Sequence, residues 1–339
     1  MTRVAVVGAA SELVRGRDGR NDAELLAPVV ERALRASGIS PSAIDVLGTA
    51  SSEFLNGVVG GVMGAFDAIP GWPPRTHSHL EADGAFALYE CWVRLMAGES
   101  PAALVCAFSR PRADDDETAV LGLQLDPYVV APLGPRVASI AALQARAMVD
   151  SGRFSETDFA SVVSARRGGV DVEYLLRQPY VASPLRSLDC STICSGAAAV
   201  VLAVEEVANG SAGRPAWIAG IHHQIERHSL GARDLSTSPS LRCVSDRLHL
   251  SELGIDVLEV HAPFSHQELL IVESLHAGEV ASVNPSGGAL PADPIMVTGL
   301  LRIASAAEAI MHGVARLAVG HATNGPCLQH NLLCLMESD

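Results

Sequence analysis

Two short stretches of the chain carry residue types that could do chemistry. His261-Ala262-Pro263-Phe264 follows the apolar run Val257-Leu258-Glu259-Val260, and Asn284-Pro285-Ser286-Gly287-Gly288 follows Val280 to Val283. A His at a strand end is a proton-transfer candidate, because imidazole titrates near neutral pH. The adjacent Gly287 and Gly288 would let the backbone approach a ligand closely, with no Cβ in the way. Further on, His321 closes another apolar run and reads either as a second acid/base or as a packed core His. Asn324 could donate to a substrate carbonyl or cap its own loop.

Other chemistries are excluded by what the chain lacks. All 24 basic residues are Arg and there is no Lys, so lysine-imine catalysis is ruled out. The seven Cys are odd in number, scattered and without a CxxC pair, which argues against a disulfide framework and a zinc site. The polar run Arg110 to Glu117 reads as a surface loop with solvated charges, and no metal is expected there. Gly57 to Gly64 lacks both the GxGxxG spacing and the Lys-Ser/Thr end of a nucleotide loop, and reads as a turn packed near a neighbouring subunit.

The elements that must hold these residues read as layered α/β structure. Of the 339 residues 48% are apolar and only 4% aromatic, which favours α/β packing over an aromatic-rich sandwich. Strands are expected at Val4 to Gly8, Ala102 to Phe108, Trp217 to Ile221, Leu317 to Gly320 and Asn331 to Met336. Helices are expected at Ala82 to Gly98, Val137 to Asp150, Ser155 to Arg167 (Ser155 as N-cap) and Pro294 to Gly313. An internal repeat stands out: Leu34 to Ile39 leads into Ile44-Asp45-Val46-Leu47, and Leu248 to Leu253 leads into Ile255-Asp256-Val257-Leu258. Two such copies imply a duplicated α/β unit.

A formal charge of −14 argues against nucleic acid or an anionic membrane as partner, since both demand basic patches. No apolar run reaches membrane length, and no secretory leader is expected ahead of the first strand. A cytoplasmic location is expected.

Residues across nearly the whole chain resemble the thiolase superfamily, and within it the lipid-transfer-type (sterol carrier protein) thiolases. The resemblance runs through Ala82 to Gly98, Pro184 to Cys190, Ser195 to Val200, Asp256 to Phe264, Asn284 to Gly288 and Gly320 to Pro326. It implies a duplicated, five-layered αβαβα thiolase-like fold. The halves would be 1–109 and 214–339, with 110–185 as the loop region and 186–213 closing the first half. It also implies a homodimer or a heteromer with another thiolase-like chain, and a possible OB-fold acyl-CoA-binding partner. The substrate would be an acyl-CoA or acyl-carrier-protein thioester, with no cofactor. Phe264, Asn284, Gly287, Gly288, His321 and Asn324 would contact that substrate.

The chain departs from the family where the family reacts. Counting back from Gly98 puts Glu81 on the nucleophilic Cys. The Gly-His-Pro motif becomes Ala292-Asp293-Pro294, the acidic neighbour of His261 becomes Ala262, and the second Cys falls near Gly325, two residues before Cys327. A carboxylate is a far weaker nucleophile than a thiolate towards a thioester, so acyl transfer through Glu81 is not expected. Glu81, Asp293 and His261 in one hollow could instead run acid–base carbon–carbon chemistry, with one carboxyl raised in pKa by the other. The alternative is a non-catalytic subunit that scaffolds a catalytic thiolase or an OB-fold acyl-CoA-binding protein.

Overall fold

A computed structural model describes residues 2–16, 19–56, 61–69, 75–111 and 122–339. The first part of the Gly57–Gly64 turn and most of the Arg110–Glu117 loop lie outside the described residues. In chain order the elements are β1 (Val4–Val14), α1 (Asp22–Ser37), β2 (Val46–Ala50), α2 (Glu53–Asn56), β3 (Thr76–Leu80), α3 (Gly84–Met96) and β4 (Ala102–Ser109). There follow α4 (Val137–Asp150), α5 (Glu156–Arg166), α6 (Val172–Leu176), β5 (Tyr180–Ala182), β6 (Leu185–Arg186), β7 (Ser195–Val204), α7 (Glu205–Ala208) and β8 (Ala216–Ile225). The chain closes with α8 (Pro239–Arg247), β9 (Ile255–Glu259), α9 (Ser265–Leu275), β10 (Val280–Val283), α10 (Thr298–Met311), β11 (Leu317–Asn324) and β12 (His330–Glu337).

Ten strands form one sheet in the order β10-β9-β11-β12-β8-β1-β7-β4-β2-β3. Read inward from either edge, the pattern is the same. In one direction β2 is parallel to β3 and β4, and β7 is antiparallel to β4 and β1. In the other, β9 is parallel to β10 and β11, and β12 is antiparallel to β11 and β8. The repeated Ile-Asp-Val-Leu segments lead into or form the equivalent strands β2 and β9. Among the described residues the two sets of five strands pair through Ala5–Trp217 and Val6–Ala216 of β1 and β8.

Alternation along the strands sorts the core into layers. On β7, Ala198, Val200 and Leu202 face one core while Ala197, Ala199 and Val201 face another. The first of these cores also receives Leu332, Cys334 and Met336 of β12 and the apolar faces of α3 and α10. Those two helices are therefore sandwiched between the halves of the sheet. The helix α1 covers the outer face of one half, and α8 and α9 cover the outer face of the other. The result is the duplicated αβαβα layering expected above. Small residues let the central helices approach: a Cβ on Gly84 would press on Ala107 and Leu300, and one on Gly299 would overlap Ala322 and the Asp83 carboxylate. The described part of the Gly57–Gly64 turn enters a 3-10 helix, Gly61–Ala68, whose Ala65 and Ala68 pack in the chain's own core beside α1.

Local signals explain most of the helix starts. α1 opens on an Asn21/Glu24 capping box and ends at Gly38, in the left-handed region at φ 69°. α5 opens on a Ser155/Asp158 box. One expected start is displaced: α10 begins at Thr298 and not at Pro294. The backbone at Asp293 is drawn into an extended bridge with Ile193, with Asp293 N–H donating to Thr192 O and Cys194 N–H donating to Asp293 O. An extended residue immediately before Pro294 is also what proline sterics favour.

Candidate active site

A cavity of about 280 Å³ opens beside the ends of β9 and β11. Its apolar wall includes Ile140, Ile193, Phe264, Ile295 and Met296, and its polar wall includes Ser191, His261, Asp293 and Asn324. Of the residues expected to act or bind, His261, Asp293, Phe264 and Asn324 line this space. Glu81, Asn284, Gly287, Gly288 and His321 do not.

Glu81 corrects the sequence expectation most sharply. β3 ends at Leu80, and the exposed Glu81 accepts a hydrogen bond from Glu53 N–H at 2.5 Å. The acid that reaches the centre is Asp83, two residues later. Asp83 is the N-cap of α3, accepting from Ala85 N–H (2.9 Å). It also accepts from Gly299 N–H (2.7 Å) and Leu300 N–H (3.0 Å), so one carboxylate caps the starts of both central helices. The available signal was the Asp directly before Gly84, an N-cap residue at a helix start.

His261 stands between two buried acids. Its Nδ1 is 3.9 Å from Asp83 Oδ2, and its Nε2 is 4.0 Å from Asp293 Oδ1. Thr323 N–H donates to Nδ1 at 3.5 Å, which places the ring proton on Nε2, towards Asp293. Asp293 accepts from Ser191 Oγ and Thr298 Oγ1, each at 2.7 Å. The spacing of 4.0 Å is too long for a direct hydrogen bond, but it leaves room for a substrate oxygen within reach of both groups.

The protonation states follow from burial. Burial lowers His261 to about 3, helped by the charge of Arg302, so the ring is neutral at pH 7. Burial raises Asp83 to about 7, against the pull of three backbone N–H groups and with a small push from Asp293. Burial raises Asp293 as well, opposed by the Thr298 and Ser191 hydroxyls and by Arg302. A carboxylate raised towards neutrality is a better base than an exposed one.

Two cysteines line the cavity, and burial disfavours the thiolate form of both. Burial pushes Cys190 up to about 11 and Cys327 up to about 12. Their thiols donate to Arg186 O at 3.7 Å and Ile140 O at 3.4 Å. Among the described residues no group of three or more His, Cys, Asp or Glu is placed to hold a metal ion.

The Asn284–Gly288 turn has a different task from the one expected. Asn284 Oδ1 accepts from Val260 N–H at 2.7 Å, and its Nδ2 donates to Glu268 at 2.8 Å. Glu268 is paired in turn with Arg166. Ser286 donates to both oxygens of Glu259. Gly287 and Gly288 supply positive φ values of 106° and 72° that close the turn. The turn thus braces the strand end that leads to His261 and does not touch the cavity. His321 lies behind the wall, with Nε2 3.1 Å from Asn331 Oδ1. Arg167 supplies a further brace: its guanidinium donates to Leu188 O, Cys190 O, Leu290 O and Thr192 Oγ1, pinning the segment that presents Ser191.

Burial of neutral histidines makes the fold sensitive to acid. His266, away from the carboxylates, is lowered by burial to about 3. Below about 6.5 the unfolded chain takes up a proton there that the native state refuses, so the stability present above that pH is lost as pH falls towards 3. The stability advantage of wild type over a His266→Gln variant should therefore shrink by about 2 kcal/mol between pH 7 and pH 5, read from urea unfolding at each pH.

No protein-family model matches the chain. Acetyl-CoA acetyltransferase of Methanothermobacter thermautotrophicus is 33% identical over 166 residues, which is 42% of this chain and 42% of that protein. The chain spans only 42–62% of the length of the curated relatives it matches. Structural likeness extends much further. The Ltp2-ChsH2(DUF35) aldolase overlays with a TM-score of 0.80 at 18% identity, over 99% of this chain and 98% of that one. Human mitochondrial 3-ketoacyl-CoA thiolase in complex with CoA gives 0.79 at 16% identity, over 100% of this chain and 98% of that one. The fold is thiolase-like.

Proposed function

We propose that the chain acts on acyl thioesters as a carbon–carbon lyase of the retro-aldol type, using acid–base groups and no cysteine nucleophile. One observation carries this reading: an imidazole and a carboxylate, His261 and Asp293, both buried, stand 4.0 Å apart on the wall of a largely apolar cavity. Support comes also from the names of the relatives and neighbours, which include acetyl-CoA acetyltransferase, 3-ketoacyl-CoA thiolase and an aldolase.

The proposed substrate is a 3-hydroxyacyl thioester. Asp293 takes the proton of the C3 hydroxyl. The C2–C3 bond breaks as the C3 oxygen becomes a carbonyl, and the electron pair enters the thioester as an enolate. The enolate oxygen is held by His261 Nε2–H and the Asn324 amide, donors that favour charge only as it develops. Asp293 returns the proton to C2, giving a shortened acyl thioester and an aldehyde or ketone. Asp83 touches no substrate in this scheme; it positions His261 from behind.

A second reading is favoured by a separate observation. Both carboxylates are already satisfied within the chain, Asp83 by three N–H groups and Asp293 by two hydroxyls, as structural acids would be. On that reading the chain is a non-catalytic subunit that supports a thiolase or an OB-fold acyl-CoA-binding partner. The deciding assay incubates the purified protein with 3-hydroxyacyl-CoA thioesters, alone and with a candidate partner, and follows release of aldehyde or ketone. Release that Asp293→Asn abolishes supports the lyase. Release by the partner that is indifferent to Asp293→Asn supports the scaffold.

A further inference from the structure

The ion pair between Arg302 and Glu259 is buried on both sides, with Arg302 Nη1 2.9 Å from Glu259 Oε2. Such a pair is weak grounds for stability, because desolvation offsets most of the attraction. Its hydrogen bonding is also lopsided: Nη1 donates to both Glu259 and Ser286, while the buried Nε has no partner among the described residues. Its place in the fold suggests another use. Glu259 is the last residue of β9 and His261 lies two residues past it; Leu258, Val260 and Ala262 all pack in the opposite core, so Glu259 and His261 project to the same side. Arg302 is one turn beyond Thr298 on α10, and Thr298 is bonded to Asp293. Arg302 therefore joins the element that carries His261 to the element that braces Asp293.

We infer that Arg302 is a positioning residue for the His261–Asp293 pair: it clamps the strand end beneath His261 and sets a fixed buried cation behind both groups. The inference rests on the lyase reading for its effect on turnover, but not for its effect on the two side chains. The cation favours Asp293 as the anion and His261 as the neutral ring, in line with the directions in which Arg302 moves both groups. Besides Glu259, which pairs with Arg302, the other groups facing the pair are Asp83 at the N-cap of α3 and His321 on β11 for His261, and Asp83 and Cys194 for Asp293. Both histidines are held neutral and Cys194 is held as a thiol, which leaves Asp83 as the only one of these that changes charge near pH 7.

The test replaces the pair together, Glu259→Leu with Arg302→Met, so that no lone charge stays buried, and compares it with Arg302→Lys. Without the cation, the acid limb of the kcat/KM profile should move up by about one pH unit, a tenfold loss of turnover on that limb. Arg302→Lys should keep the wild-type limb. A uniform loss at every pH with an unmoved limb would overturn the inference and leave the pair a mere brace. If wild type shows no turnover, the lyase reading fails on its own. The inference is then read from urea unfolding against pH, as the wild-type-minus-Asp293→Asn difference in the two backgrounds. An inflection that moves up in the pair-less background supports it, and one that stays put overturns it.

Discussion

Asp293→Asn should lower kcat for cleavage of a 3-hydroxyacyl thioester by about a thousandfold while leaving the melting temperature within a few degrees of wild type. The asparagine fits the same space and can accept from one of the two hydroxyls, Ser191 and Thr298, and donate to the other, so the fold has no reason to fail. It cannot take a proton from the C3 hydroxyl. His261→Ala should cost a comparable factor in kcat by removing the Nε2–H that faces the enolate. Glu81→Gln is the informative control. Its carboxylate is exposed and accepts from Glu53 N–H, away from the cavity, so turnover should stay within about threefold of wild type. A large loss at Glu81 with none at Asp293 would mean that the reacting group lies elsewhere.

The largest effect on stability is expected at Asp83. Asp83→Ala removes the acceptor shared by Ala85, Gly299 and Leu300 N–H, and with it the cap of two helices packed in the middle of the molecule. Each buried N–H left without a partner costs roughly 1–3 kcal/mol. Part of that is offset because burial already disfavours the ionised Asp83, whose pKa is raised to about 7. A net loss of roughly 4 kcal/mol is expected in urea unfolding near neutral pH. Asp83→Asn keeps one acceptor oxygen and should lose less than half as much. Equal stability of all three proteins would show that the two helix starts do not depend on this side chain.

The architecture was legible because it is written in periodicity and repetition. The Ile-Asp-Val-Leu copies mark the equivalent strands β2 and β9, and the all-round apolar pattern of Ala82 to Gly98 marks a helix buried on several sides, which is the case for α3. Parts of the site were legible by residue type: a strand-end His261 and an Asp beside Pro294 do reach the cavity. What stayed hidden is direction. Asn284, Gly287 and Gly288 have the composition of a binding loop, but both polar arms of Asn284 are taken up by Val260 N–H and Glu268. Nothing in the order of residues says which way an amide will turn. Glu81 and Asp83 differ by two positions, and counting along the chain cannot locate the end of β3 that turns one outward and the other in. The cap preference of Asp before Gly84 was the available clue. Ser191, one of the two hydroxyls that hold Asp293, lies 102 residues away and leaves no local trace, whereas Thr298 is only five residues further on.

The central claim is that the cavity binds the reacting carbons of an acyl thioester against His261 and Asp293, with no bond to a cysteine sulfur. It is tested most directly by a crystal structure with a 3-hydroxyacyl-CoA bound to the Asp293→Asn variant, which should bind without cleaving. The account predicts the C3 hydroxyl within about 3 Å of residue 293 and the thioester oxygen within about 3 Å of His261 Nε2. A thioester carbon seated on Cys190 or Cys327, or an acyl chain bound outside this cavity, would contradict it.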